Sequence, residues 1–143
     1  MPSDFVLKAM NGIHRGVLKL SGGKMGWELS KMPVLELTTT GRKSGARRTV
    51  MLTSPWQDGD TLVVVASRGG DDKPPAWLLN LSANPDVEVA LRGEAPRPMR
   101  ARVASAEERA ELWPKVTAEF RNYAEYQTKT SREIPLVFLE PVA

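Results

Sequence analysis

The spacing of apolar residues along the chain predicts where it forms helices and strands. Between residues 3 and 20, apolar residues recur at steps of three and four, while Lys8, Arg15 and Lys19 fall on the opposite side. That period is typical of an amphipathic helix with a basic outer face. Such a helix either packs on the rest of the protein or lies on an anionic membrane surface, and the small number of cations favours packing.

Six further segments have the composition and spacing of β-strands. They are Val34–Thr40, Thr49–Trp56, Thr61–Ser67, Asp86–Arg92, Pro98–Ala104 and Ile134–Leu139. Residues Leu62–Ala66 are apolar without alternation, so we expect this strand to be buried on both faces and central in its sheet. The pair Asp58 and Gly59 predicts a hairpin turn just before it.

A short helix is predicted between the third and fourth strands. Pro74 and Pro75 can open it. It ends at Asn84, because the residue before a proline avoids helical geometry. Trp77 and Asn80 are three residues apart and therefore lie on one face of this helix. Considered alone, a tryptophan at such a position is more often part of the core than the wall of a ligand site.

A longer helix starts near Ser105, with Glu108 at the capping-box position. Pro114 lies within it and should either kink it or start a second helix. Short antiparallel strands with interspersed helices predict a mainly β fold with helices (α+β), arranged as a small barrel. The expected division is an N-terminal helix and linker over 1–32, followed by a barrel domain over 33–143.

The composition excludes several kinds of site. The chain has no cysteine and one histidine, His14, so disulfides, thiolate metal sites and thiol nucleophiles are ruled out. We therefore predict no metal, and we expect difficult chemistry to come from a bound organic cofactor. The net charge of +3 allows a polyanionic partner without requiring one. The absence of cysteine fits a cytoplasmic protein, and no apolar run reaches the roughly eighteen residues of a membrane span.

The sharpest feature is a basic turn, residues 41–48, between the first two predicted strands. It contains Gly41 and Gly45, and four cations lie within seven residues: Arg42, Lys43, Arg47 and Arg48. It is not a Walker loop, since it leads into a strand rather than a helix. The glycines could let backbone amides point at an anion, and arginine forks bind phosphate or carboxylate. A phosphorylated cofactor with an acidic tail, a nucleic acid or solvent alone would each suit this turn.

Two more features lie downstream of the basic turn. Residues Ala66–Gly70 leave the buried third strand, and their two glycines would allow a flat ligand to approach the backbone. Tyr123 and Tyr126 are about one helical turn apart and could line a pocket, where a phenol donates a hydrogen bond or a proton. Half-buried rings at the end of an amphipathic helix explain the two tyrosines equally well.

Taken in order, these segments resemble those of a known family. The motifs TTTGRKSG, ASRGGDDKPPAWLLNLSANP and EERAELWP, followed by the tyrosine pair, are similar to deazaflavin-dependent nitroreductases and quinone reductases, which use reduced coenzyme F-420. The resemblance covers most of the chain, from Pro33 to Pro141. It implies a split β-barrel related to flavin-binding barrels. It also implies a cofactor that combines a deazaflavin ring, a phosphate and an oligoglutamate tail.

The resemblance gives the basic turn a role. Arg42, Lys43 and Arg48 match the family's basic positions and would hold the phosphate and the glutamates, both of which are anionic. Arg47 stands where many relatives have proline, so it carries less weight.

Further cofactor contacts are implied at the end of the third strand and on the short helix. These residues are Val65, Ala66, Ser67, Arg68, Trp77 and Asn80. Tyr123 and Tyr126 match positions that face the substrate. Among all of these, Ser67 and Tyr126 are the implied catalytic residues.

The implied reaction is hydride transfer from the reduced coenzyme to a small electrophilic acceptor, namely a quinone, an activated alkene or a nitroaromatic. The protein would orient the two at near-attack distance, and either Tyr126 or solvent would supply the proton.

Two alternatives stay open: an FMN-dependent split-barrel oxidoreductase, and a non-enzymatic module that binds nucleic acid or anionic membrane. We expect no nucleic-acid partner. Peripheral contact of the N-terminal helix with the inner face of the membrane stays open, and split barrels commonly pair as homodimers.

Overall fold

The computed structural model describes residues 28–29 and 32–142 of the chain. The helix predicted over residues 3–20 lies outside these residues, and so does most of the predicted N-terminal segment. No helix in the described part of the chain combines the length and the apolar character needed to cross a membrane.

The described residues form an antiparallel sheet of eight strands. These are β1 (Glu28–Leu29), β2 (Met32–Thr40), β3 (Arg47–Thr53), β4 (Trp56–Asp58), β5 (Thr61–Val65), β6 (Asp86–Leu91), β7 (Arg97–Val103) and β8 (Leu136–Pro141). All six predicted strands are present. The predicted second strand is interrupted at Ser54 and Pro55, so that Trp56 belongs to the separate strand β4. The Asp-Gly hairpin is confirmed, since Asp58 pairs with Thr61 across a two-residue loop.

The sheet curls into a barrel that is not closed. Its order is β3–β2–β6–β7–β8–β5–β4, with β1 paired to the start of β2. The end strands β3 and β4 are consecutive in the chain but do not pair with each other within the described residues. Ser54, buried between them, bridges the opening: its amide donates to the Pro33 carbonyl at 3.0 Å and its hydroxyl to the Val63 carbonyl at 2.7 Å.

Strand β5 separates the two main hydrophobic clusters. Leu62 and Val64 point into the barrel interior, which the next helix closes, whereas Val63 and Val65 point to the outer layer of helices. The prediction that β5 is buried on both faces is therefore confirmed. Its predicted central position is wrong, because β5 is one strand from the end of the sheet and its outer face is covered by helices.

In the described part of the chain, three α-helices accompany the sheet: α1 (Ala76–Ala83), α2 (Ala106–Glu119) and α3 (Arg121–Thr128). Pro75 and Asn84 cap α1 as predicted. Ser105 and Glu108 form the expected capping box at the start of α2. Because α2 continues through Pro114 and the next helix begins after Phe120, the suggestion that Pro114 starts a second helix is wrong.

Candidate functional site

The basic turn joins β2 to β3 as a tight hairpin connection. The Gly41 amide donates to the Ala46 carbonyl at 2.7 Å, and the Gly45 amide donates to the Gly41 carbonyl at 2.8 Å. Gly45 has φ +73°, which favours glycine. A Cβ atom on Gly41 would lie 3.0 Å from the Ser44 hydroxyl and 3.2 Å from the Ala46 carbonyl oxygen. Both glycines are therefore needed for the shape of the turn.

An open pocket of about 690 Å³ lies between this turn and the start of α1. We refer to it as the basic pocket. Its lining residues come from the turn, from β3 and from α1: Gly41, Arg42, Lys43, Ser44, Arg47, Arg48, Thr49, Val50, Ala76, Trp77 and Asn80. Among the described residues, the lining contains four cations, two hydroxyls and no carboxylate. Such a donor set suits a ligand with several negative charges.

The four cations of the basic pocket are not equivalent. Arg47 is engaged, since its guanidinium lies 3.4 Å from Glu88 and donates to the Thr40 hydroxyl at 2.7 Å. Arg42, Lys43 and Arg48 form no ion pair with any residue of the described chain. These are the same three cations for which the family resemblance implies anion binding, and Arg47 is the one that stands where many relatives have proline.

The sequence suggested that the glycines let backbone amides of the turn point at an anion, but three of these amides are already hydrogen-bonded within the turn. The amides of Gly41 and Gly45 donate within the turn, and the Ala46 amide donates to the Ser44 hydroxyl at 3.2 Å. They are therefore not directed at a bound anion. Within the described residues, the amides of Lys43 and Ser44 have no acceptor in the protein, so those two remain for a ligand.

Asn80, on helix α1, forms hydrogen bonds to the basic turn and to the end of β2. Its side-chain oxygen accepts from the Arg42 amide at 3.1 Å, and its side-chain nitrogen donates to the Thr39 hydroxyl at 3.2 Å. Asn80 and Thr39 are only 5% and 0% exposed. One turn earlier, Trp77 packs in the barrel interior while also lining the basic pocket. The helix face predicted from residues 77 and 80 therefore forms one wall of the pocket.

The residues predicted at the end of β5 lie elsewhere. Val65, Ala66 and Ser67 are buried and do not line the basic pocket, and neither does Arg68. Here the chain leaves β5 through what we term the exit loop, Ala66–Asp71. Within it, the Arg68 guanidinium pairs with the Asp71 carboxylate at 2.9 Å. The pKa of Asp71 is lowered because the Lys73 amide donates to its carboxylate, and Arg68 adds to the effect.

The sequence suggested that the glycines of the exit loop leave room for a flat ligand, and at Gly70 this expectation is wrong. A Cβ atom on Gly70 would instead lie 2.7 Å from the Tyr126 carbonyl oxygen and 3.0 Å from the Lys129 Cβ atom. The close approach at Gly70 is therefore to the end of helix α3.

The tyrosine pair consists of two rings in different environments. Their centroids are 6.1 Å apart in an edge-to-face arrangement. Tyr123 is 6% exposed, and its hydroxyl lies 3.4 Å from both the Thr53 hydroxyl and the Met32 sulfur. Burial raises the pKa of the Tyr123 phenol. Tyr126 is partly exposed, with the Lys129 ammonium 5.7 Å from its ring centroid, so it is the more accessible phenol.

Strand β3 connects the two groups of predicted site residues. Thr49 and Val50 line the basic pocket, and Thr53 on the same strand contacts Tyr123. A strand rises about 3.4 Å per residue, so Thr49 and Thr53 are separated by about 14 Å. One face of β3 therefore carries both the basic pocket and the contact with the tyrosine pair.

Sequence reasoning missed Arg132, which precedes β8. Its guanidinium donates to three backbone carbonyls of the exit loop, those of Ala66 (3.2 Å), Ser67 (3.0 Å) and Asp71 (2.9 Å). No sequence motif marks this arginine, because its partners are backbone atoms more than sixty residues away.

A family model described as F420H(2)-dependent quinone reductase matches residues 12–141. An F420H(2)-dependent quinone reductase of Mycobacterium tuberculosis (strain ATCC 25618 / H37Rv) is 38% identical over 133 residues, which cover 89% of this chain and 87% of the relative.

Two solved structures are also similar. One, described as an F420-H2 dependent reductase, is 42% identical, has a TM-score of 0.65, and covers 76% of this chain and 94% of its own. Another, described as a domain-swapped dimer, is 36% identical, has a TM-score of 0.67, and covers 92% of this chain and 99% of its own. These likenesses confirm the predicted split-barrel fold.

Proposed function

The chain belongs to the F420H(2)-dependent quinone reductase family, and on that premise we propose that it is an oxidoreductase that uses reduced coenzyme F-420 to reduce a quinone. The observation that carries this proposal is the basic pocket, where Arg42, Lys43 and Arg48 line an open space and no described lining residue is acidic. Three like charges held together repel each other, and a polyanionic ligand relieves that repulsion.

The donor set of the basic pocket fits the anionic end of coenzyme F-420. Arginine forks bind phosphate and carboxylate through paired hydrogen bonds, and Lys43 adds a point charge. The amides of Lys43 and Ser44 add two neutral donors. FMN has a single phosphate and would leave part of this cluster uncompensated, which favours the longer deazaflavin cofactor over FMN.

Reduced deazaflavin, when bound, supplies a hydride for the quinone. The protein's own task is to hold and orient. The basic pocket would hold the anionic tail, and Trp77 together with Val65, Ala66, Ser67 and Arg68 would contact the ring. Asn80 acts by holding the basic turn in place, since both ends of its amide are occupied within the protein.

We assign different roles to the two tyrosines. Tyr126 is the more accessible, and we propose that its hydroxyl hydrogen-bonds the quinone oxygen or supplies its proton. Tyr123 is buried and packs against the Tyr126 ring, so its role is to support that ring.

The proposal extends to the assembly and the location of the protein. Since a similar solved structure is described as a domain-swapped dimer, a homodimer is the expected assembly. We place the enzyme in the cytoplasm. Peripheral membrane contact through residues 1–20 stays a prediction, and loss of liposome binding when these residues are deleted would support it. The domain boundary at residue 32 also stays a prediction; the family match spans it.

An acceptor assay tests the proposed function. Purified protein is mixed with chemically reduced coenzyme F-420 and a soluble naphthoquinone, and the return of deazaflavin fluorescence is followed. We expect oxidation that requires both the protein and the quinone, and no increase over the protein-free rate when reduced FMN or NADPH replaces the deazaflavin. Oxidation no faster than in the protein-free control, with a series of quinones, would contradict the proposal.

A further inference from the structure

The exit loop has an unfavourable backbone conformation that contacts with other parts of the chain must stabilise. Arg68, Gly69 and Gly70 have φ values of +48°, +66° and +86°, so three consecutive residues are in the left-handed region. For Arg68, which carries a side chain, this conformation is unfavourable, and it persists only where surrounding contacts impose it. These three residues directly follow Ser67, so any change in their path also moves Ser67 and the end of β5.

Arg132 supplies that support. Its Nε donates to the Asp71 carbonyl at 2.9 Å, and one terminal nitrogen donates to the Ser67 carbonyl at 3.0 Å and to the Ala66 carbonyl at 3.2 Å. A single rigid guanidinium therefore holds both ends of the exit loop. A lysine ammonium at this position would place one point donor where three planar contacts are needed.

The same unit is joined to helix α3. The Gln127 amide donates to the Arg132 carbonyl at 2.7 Å, which fixes the backbone that carries the guanidinium. On the other side, Gly70 approaches the Tyr126 carbonyl so closely that a Cβ atom there would lie 2.7 Å from the oxygen. The exit loop and the end of α3 consequently form one unit, with Ser67 at one end and Tyr126 at the other.

We propose that Arg132 is a positioning residue for hydride transfer, fixing the distance between the cofactor side of the site at Ser67 and Arg68 and the acceptor side at Tyr126. This inference rests on the proposed function. Arg132 does not line the basic pocket, so a substitution of Arg132 should leave the affinity for the cofactor tail unchanged. Small displacements of a reacting pair lower the rate of transfer without requiring weaker binding.

The test compares Arg132→Lys and Arg132→Met with the wild-type protein. Fluorescence titration measures the Kd of oxidised coenzyme F-420, and a single-turnover experiment measures the rate at which bound reduced coenzyme is oxidised by saturating quinone. We expect the rate to fall by about 10-fold to 100-fold while Kd stays within about 3-fold of wild type. Gly70→Ala, which pushes α3 away from the loop by a different contact, should lower the rate in the same way.

Arg102→Met is the matched control. Arg102 also makes guanidinium hydrogen bonds, to Glu108 and Glu140 at 2.8 Å each, but it contacts neither the exit loop nor α3. Its loss should leave the single-turnover rate unchanged.

Two results would overturn the inference: a wild-type single-turnover rate in Arg132→Met, or a Kd that weakens in proportion to the fall in rate. If the methionine variant does not fold, the lysine variant is judged by the same two measurements. Absence of cofactor binding or oxidation by the wild-type protein would instead overturn the proposed function, and that is measured before any variant is compared.

Discussion

The basic turn and the exit loop use arginine in opposite ways. In the basic turn, Arg42 and Arg48 point into an open pocket and form no ion pair within the described residues. Beside the exit loop, Arg132 is occupied by three backbone carbonyls, and Arg68 is paired with Asp71. The arginines of the basic turn thus keep most of their donors available, although the Arg42 guanidinium lies 3.5 Å from the Asn80 side-chain oxygen, whereas the donors of Arg132 are satisfied by the protein itself. Composition alone does not distinguish the two uses.

The largest effect is expected where the uncompensated cations are removed. The double change Arg42→Gln and Arg48→Gln should raise the Kd of coenzyme F-420 by at least about 100-fold, since each lost charge-assisted contact costs about 1.5 kcal/mol or more. Fluorescence titration measures this. Arg47→Gln is the control, because Arg47 is already engaged by Glu88 and Thr40. An equal loss in that control would contradict the distinction between engaged and available arginines.

A smaller loss of cofactor affinity is expected when the hydrogen bonds that hold the basic turn are removed but its charges are kept. Asn80→Leu leaves the Arg42 amide and the buried Thr39 hydroxyl without their partner and removes the longer contact of the Arg42 guanidinium. We therefore expect the protein to lose about 1–3 kcal/mol of stability and cofactor affinity to fall by about 10-fold. Urea unfolding and titration measure the two. Thr39→Val removes a buried hydroxyl but keeps the Arg42 contact. It should lower stability more than affinity, and the reverse order would argue against a positioning role for Asn80.

The tyrosine pair provides a test at the far end of β3. Tyr126→Phe should lower turnover by about 10-fold if its hydroxyl assists the acceptor, with cofactor affinity unchanged. Tyr123→Phe should change turnover little, because that hydroxyl is buried and its two contacts are long, at 3.4 Å. Steady-state kinetics with a quinone measures both. Unchanged turnover in Tyr126→Phe would assign the proton to solvent.

The smallest expected effect is on the pH dependence of stability, when Arg102 is replaced. Hydrogen bonds from Arg102 and from the Ser105 amide lower the pKa of Glu108 from 4.5 to about 2. Since the pKa is lower in the folded state, the resulting stability is present above pH 4.5 and is lost as the pH falls towards 2. The effect is small because the pair is partly exposed. The urea midpoint measured against pH should fall less steeply over this range in Arg102→Met, and an identical slope would contradict the assignment.

The fold could be predicted largely because its signals are local. Alternation in β6 and β7, the Asp-Gly turn and the Ser105 capping box each depend on a few neighbouring residues. The interruption at Ser54 was missed, because that residue bridges Pro33 and Val63, which the sequence does not bring together visibly. The position of β5 was wrong for a related reason: its outer face is covered by helices, which produces the same apolar run as a central strand.

The candidate site could be predicted only in part. The basic turn was identified because its cations are adjacent in the chain. Asn80 and Arg132 each hydrogen-bond to backbone atoms that are distant in the sequence. No residue pattern indicates such contacts, so the sequence did not reveal that Asn80 holds the basic turn or that Arg132 holds the exit loop. Gly70 was identified as a point of close approach, but the approaching group is helix α3 and not a ligand.

The central claim is that the basic pocket holds the anionic tail of a deazaflavin cofactor. The most direct measurement is a fluorescence titration of the wild-type protein with oxidised coenzyme F-420, with the same deazaflavin lacking its phosphate and glutamates, and with FMN. The account predicts tight, saturable binding of the complete coenzyme, with both other ligands much weaker. Equal affinity for the complete and the tail-less deazaflavin, or binding of FMN alone, would contradict it.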